Sequence, residues 1–179
     1  MSIHEIVLPE TKPETEWILG RAVQKVSPRR THAKLQTALA VALTRWAEGR
    51  GDVGTEWRFR IAPPGEIRRP LIPDVAYVSN ERMRGLDDSD AELPPFAPDV
   101  AIEILSPGDS SRVIEHKTAV YLAGGSSLVI VVDPANRRAD LHDAAGTRTF
   151  GDDDVLTHWS LPGFALPLRD LFAASARPR

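Results

Sequence analysis

A mixed α/β domain with a central β-sheet flanked by helices is what this sequence predicts, and three features carry the prediction. VAIEIL at 100–105 and LVIVV at 128–132 are apolar on both alternating faces, as strands buried on both sides are. Two segments with helical periodicity frame the first of these runs. The order of elements reads α-β-β-β-α-β, with short hairpins added at either end.

Residues 1–15, rich in Pro, Glu and Thr, read as a loose arm, and WILGRAVQKV at 17–26 reads as a hairpin turning near Gly20. Between Arg30 and Glu48, His32, Leu35, Leu39, Leu43 and Trp46 recur at helical spacing, and Gly49 and Gly51 end the segment. Strands are predicted at 53–61, 72–78 and 100–105, with a polar, acidic insertion at 80–92. A second helix spans 110–123, from a capping serine to Gly124–Gly125. After the strand LVIVVDP, RADLHDAAGTRTF reads as a small hairpin. LPGFALPLRDLF carries apolar residues that dock on the domain, and residues 174–179 read as a frayed end.

At 179 residues, 42% apolar and 26% charged, the chain fits one domain with its own core. It has no cysteine, which excludes disulfides and thiolate metal sites and suits a reducing compartment, so a cytoplasmic location is expected. The first residues lack the pattern of a signal peptide, and no apolar run approaches the roughly 18 residues of a membrane helix. A net charge of -3 gives no global basicity to argue for nucleic acid, and the pairs Arg29–Arg30, Arg68–Arg69 and Arg137–Arg138 read individually as solvated surface. SPGDSSR lacks the spacing and lysine of a phosphate-binding P-loop.

Three charges stand where apolar residues belong. Glu103 lies inside a doubly buried strand, where an unpartnered carboxylate would be very costly. Lys117 lies in the centre of the inward stripe of the second helix, marked by Val113, Ile114, Val120 and Tyr121. Asp74 opens the strand after Pro73. Strands adjacent in the chain tend to be adjacent in space, so Asp74 and Glu103 are expected within a few ångströms, with Lys117 laid over them by the crossover helix. Two close carboxylates repel, and a hard divalent cation such as Mg2+ or Mn2+ relieves that repulsion through oxygen ligands. A buried ion network without catalysis would satisfy the same charges. Asp99, four residues before Glu103 and roughly 13 Å from it along an extended strand, reads as a cap or turn, as does Asp133 before Pro134.

Pro73-Asp74, then Glu103 in an apolar strand, then a lysine, resembles the PD-(D/E)xK nuclease superfamily, whose core runs α-β-β-β-α-β in a restriction-endonuclease-like fold. Within it the chain resembles the bacterial Uma-two family. The likeness runs through EWILGRAVQKVSPRRTHAKL, PDVAYVS, PDVAIEILSP, HKTAVYLAGG, VIVVDP and LPGFALPLRDLF. It implies a single nuclease-like domain over 16–173, with Asp74 and Glu103 as metal ligands and Lys117 as the catalytic lysine. Leu105 stands where the superfamily motif expects lysine two residues after the glutamate, and the resemblance moves that role to Lys117 on the following helix. Glu16 matches an acidic position of the family's opening hairpin, whereas Arg21 stands where an acidic residue is common. Glu16 and His32 are therefore accessory candidates, with packing or capping as the competing role of the histidine. The implied function is a Mg2+-dependent endonuclease acting on DNA, with a homodimer expected because many such enzymes cut two strands. The alternative is a non-catalytic module that binds nucleic acid or a protein.

Overall fold

The structure, a computed structural model, describes residues 4–178; residues 1–3 of the expected arm and Arg179 of the expected frayed end lie outside the described residues. The chain enters through a hairpin, β1 (Thr15–Ile18) and β2 (Arg21–Gln24), turning at Leu19 and Gly20, both with positive φ. Helix α1 (Arg30–Ala47) follows and buries Leu35, Leu39, Leu43 and Ala47, one stripe of the predicted period. Then come β3 (Gly51–Thr55), β4 (Phe59–Ile61), β5 (Arg69–Leu71) and β6 (Val75–Ser79). The acidic insertion holds two short helices, α2 (Asn80–Met83) and α3 (Asp88–Glu92). Strand β7 (Val100–Ile104) leads through α4 (Ser111–Ala123) to β8 (Leu128–Asp133). The chain ends with β9 (Arg138–Asp143), β10 (Gly146–Phe150), β11 (Val155–Leu156), β12 (Leu166–Pro167) and α5 (Leu168–Ser175).

Six strands form one sheet in the order β10-β9-β8-β7-β6-β3. Its only parallel pair among the described residues is β7–β8, joined by the α4 crossover. Alternation divides the core in two. Val100, Ile102, Ile104, Ile130 and Val132 pack toward α1 and α5, while Ala76, Ala101, Val129 and Val131 pack with Val120 and Tyr121 of α4 and with Phe59 and Ile61. Glu103 has the parity of Ala101, so its side chain enters the α4 layer. Gly124 lets the end of α4 press onto β4, since a Cβ there would run into Ile61 Cγ2.

Three expectations need correction. The single strand predicted at 53–61 is broken at Glu56, which adopts φ 51°; β3 stays in the main sheet and β4 pairs instead with β5. An unbroken strand could not serve both partners. The arm is also tied down: Ile6 donates its N–H to the Arg68 carbonyl, Arg58 pairs with Glu14 and Arg60 with Glu5. At the other end, α5 continues to Ser175, and Arg30 donates to the Ser175 and Ala176 carbonyls. No helix among the described residues is long and apolar enough to cross a membrane.

Candidate active site

The pairing of β6 with β7 fixes the two carboxylates. The paired register ends where Val75 faces Ile102, and the Oδ2 of Asp74, one residue earlier, accepts the Ile104 N–H, so its carboxylate lies alongside the Glu103 segment of β7. Asp74 stands just before its strand but still joins the ladder, donating its N–H to the Ile102 carbonyl at 3.0 Å. Both side chains are almost wholly buried.

Lys117 reaches them from α4. Its Nζ lies 2.7 Å from Glu103 Oε1 and 2.8 Å from Glu16 Oε1, so the helix lysine is clamped between a sheet carboxylate and a hairpin carboxylate. Glu16 is itself set by the Ile72 N–H, which donates to it at 2.7 Å. Tyr121, one helical turn beyond Lys117, donates its hydroxyl to Glu103 Oε1 at 2.9 Å. Replacing Tyr121 by phenylalanine removes a buried hydrogen bond to a charge-bearing group and is expected to cost about 1.5–3 kcal/mol, read as a lower urea midpoint at unchanged slope.

Asp74 is held as firmly. Its Oδ1 pairs with Lys25 Nζ at 2.8 Å, while Oδ2 accepts the Ile104 N–H at 2.7 Å and meets His32 Nε2 at 3.2 Å. The accessory candidates Glu16 and His32 thus both reach the cluster. Asp99 instead accepts the Ser79 N–H, and Asp133 accepts from Asn136 in a turn, so neither joins it. Lys25 and Glu56, which pair at 3.0 Å, were not singled out by the sequence.

Electrostatics separate the two central acids. Burial raises the Asp74 pKa, but the His32 hydrogen bond and the charge of Lys25 outweigh it and hold the carboxyl well below its ordinary value. Glu103 goes the other way: burial, with Asp74 and Glu16 adding repulsion, pushes it up to about 7 against the pull of Lys117. Burial opposes the charge of Lys117 as well, yet Glu103 and Glu16 raise its pKa. His32 is likewise raised, its burial overcome by the hydrogen bond to Asp74 and the charge of that carboxylate.

These groups line a cavity of about 210 Å3 whose walls include Glu16, Lys25, His32, Asp74, Glu103 and Lys117. A larger cavity of about 620 Å3, between α4 and β8–β9–β10, holds none of them; chemistry and not volume selects the smaller one. The donor set suits a hard cation. It is all oxygen, no described donor occupies Glu103 Oε2, and Asp74 Oδ1 accepts only from Lys25. Among the described residues no three acidic or imidazole side chains form a ready cage. Magnesium is commonly held without one, by one or two carboxylates with waters and substrate phosphate.

The family described as "Putative restriction endonuclease", Uma2, matches the chain over residues 4–169. The chain belongs to the Uma2 family. A crystal structure of a putative nuclease belonging to DUF820 from Anabaena variabilis ATCC 29413 superposes with a TM-score of 0.81, at 24% identity, over 94% of this chain and 95% of that one. That likeness establishes a shared fold, a six-stranded mixed sheet flanked by helices. No curated protein matches. Lys117, the lysine singled out in the sequence, comes from α4, and its ammonium reaches Glu103 of β7.

Proposed function

We propose that the protein is a divalent-cation-dependent endonuclease that hydrolyses phosphodiester bonds in DNA, with Mg2+ or Mn2+ as cofactor. The observation that supports it best is the convergence of Asp74 and Glu103 on one cavity, with open oxygens, that also presents Lys117. Asp74 and Glu103 would hold the ion, which when bound supplies Lewis-acid polarisation of phosphate and a more acidic water. Lys117, oriented by Glu103 and Glu16, donates to the attacking water or to a phosphate oxygen as charge develops. Tyr121 fixes Glu103, while Ile104 N–H, His32 and Lys25 fix Asp74, so the acids need little rearrangement before reaction. Cutting both strands of a duplex at one encounter would call on a homodimer, to be read by light scattering.

A non-catalytic binding module is the second reading. One observation favours it: Asp74 already has Lys25 and Glu103 already has Lys117, so the charges are satisfied without a cation. Incubation with supercoiled plasmid, linear duplex, single-stranded DNA and RNA, each with Mg2+, Mn2+ or chelator, separates the two. Metal-dependent nicking of DNA supports the enzyme; an intact set of substrates under every condition supports the module.

Cation binding should depend on pH through Glu103. Below about 7 its carboxyl is protonated in the fold, so an incoming ion must displace a proton; above that value the ligand is ready. Mn2+ affinity is expected to rise from pH 6 to 8 by titration calorimetry, with proton release largest at the acid end. The metal-free fold behaves oppositely. Because the folded pKa lies above the ordinary 4.5, folding takes up a proton between the two values and this contribution to stability is lost as pH rises toward about 7. An affinity that is flat over this range would remove Glu103 from the ligand set.

A further inference from the structure

Asp74 borders two cavities. Toward Glu103 lies the cavity described above. On the other side, a second cavity of about 200 Å3 is lined by Lys25, His32, Gln36, Glu56 and Asp74. There Lys25 Nζ sits among three oxygens: Asp74 Oδ1 at 2.8 Å, Glu56 Oε2 at 3.0 Å and the Ile72 carbonyl at 3.1 Å. Gln36 stiffens this cradle by donating to Glu56 Oε1 at 3.0 Å and to the Asp74 carbonyl at 2.9 Å. The cradle is thus built from α1, the residue after β3 and the segment before β6, and its occupant comes from the end of the hairpin.

An ionised carboxylate offers about four lone-pair positions. On Asp74, Oδ2 is engaged by the Ile104 N–H and His32, and Oδ1 by Lys25, which leaves one position on Oδ1. Asp74 can therefore serve one further cation but cannot bridge two. We infer that Lys25 is the site's second cation: the protein takes a single divalent ion between Asp74 and Glu103, and the lysine ammonium fills the oxygen cradle that a second ion would otherwise take. The inference rests on the metal-dependent reading above and adds its stoichiometry. Lys25 acts as a positioning residue, holding the Asp74 carboxylate so that its open lone pair remains for the ion shared with Glu103. A tethered charge holds this arrangement with no second ion to recruit.

The test counts ions. Mn2+ bound per chain is measured by the loss of the free-ion paramagnetic resonance signal on the full-length wild type, Lys25→Ala, Lys25→Gln, Lys25→Arg and Lys25→Ala/Glu56→Gln. One ion is expected for wild type and Lys25→Arg, two for Lys25→Ala and Lys25→Gln, and one again for the double variant. Two ions in wild type overturn the inference and leave the metal-dependent reading standing. None in wild type overturns both. A count of one in folded Lys25→Ala or Lys25→Gln reduces Lys25 to a clip for the hairpin, and the wild-type count decides the matter if neither variant folds.

Discussion

Asp74→Asn is expected to abolish both the Mg2+-induced rise in melting temperature and all DNA cleavage. A ligand that binds only the native state stabilises it by about 2.7 kcal/mol at a hundredfold excess over its dissociation constant, or very roughly 5–10 °C for a chain of this size. The asparagine keeps one carbonyl oxygen but loses the charge and the lone pair left open on Oδ1. It also leaves Lys25 without its closest carboxylate, so the metal-free variant should melt below wild type even in chelator. The decisive quantity is the difference between melting temperatures with and without Mg2+, measured separately for each protein. A shift in Asp74→Asn equal to that of wild type would take Asp74 out of the cation site, whatever the variant's absolute stability.

Much of this site was legible because its members are charges in apolar surroundings. Glu103 interrupts a run buried on both faces, and Lys117 interrupts a helical stripe of which Val120 and Tyr121 are buried as expected, while Val113 and Ile114 are only half-buried. Such residues announce a partner, and the α4 crossover brings the two together. Glu16 was readable by the same logic, since alternation puts it on the buried side of β1 with Ile18. Tyr121 looked like one more apolar member of the stripe, although its hydroxyl one turn from Lys117 was available to Glu103. Lys25 and Glu56 gave no such sign. Lys25 follows an exposed strand, and its partner Asp74 is 49 residues away. Glu56 sits inside an apparently continuous strand pattern, and only the positive φ at that residue turns it toward Lys25. The arm was misread for a similar reason: its composition is that of a loose segment, while its tethers, Arg58 and Arg60, lie some fifty residues on. Local pattern carries the core; ion pairs across long sequence separations do not show in it.

Lys117→Met is the variant that separates catalysis from charge balance, and the geometry makes it a two-part result. Methionine leaves Glu16 and Glu103 facing one another in a buried space without their shared ammonium. In chelator the variant should therefore lose about 3–5 kcal/mol, the usual cost of removing one partner of a buried ion pair. A divalent ion on Glu103 should then recover part of that loss, so that Mg2+ raises the melting temperature of the variant at least as much as that of wild type. Cleavage should not recover with it. If Lys117 donates to water or phosphate as charge develops, its absence costs at least about 100-fold in rate even at Mg2+ concentrations where the variant is folded and loaded. Plasmid nicking and thermal melting are read on the same samples across a Mg2+ titration. Restored folding with lost cleavage makes Lys117 a participant in the chemistry. If folding and cleavage return together, the lysine is a counter-ion for Glu16 and Glu103, and the attacking water must be oriented by another group.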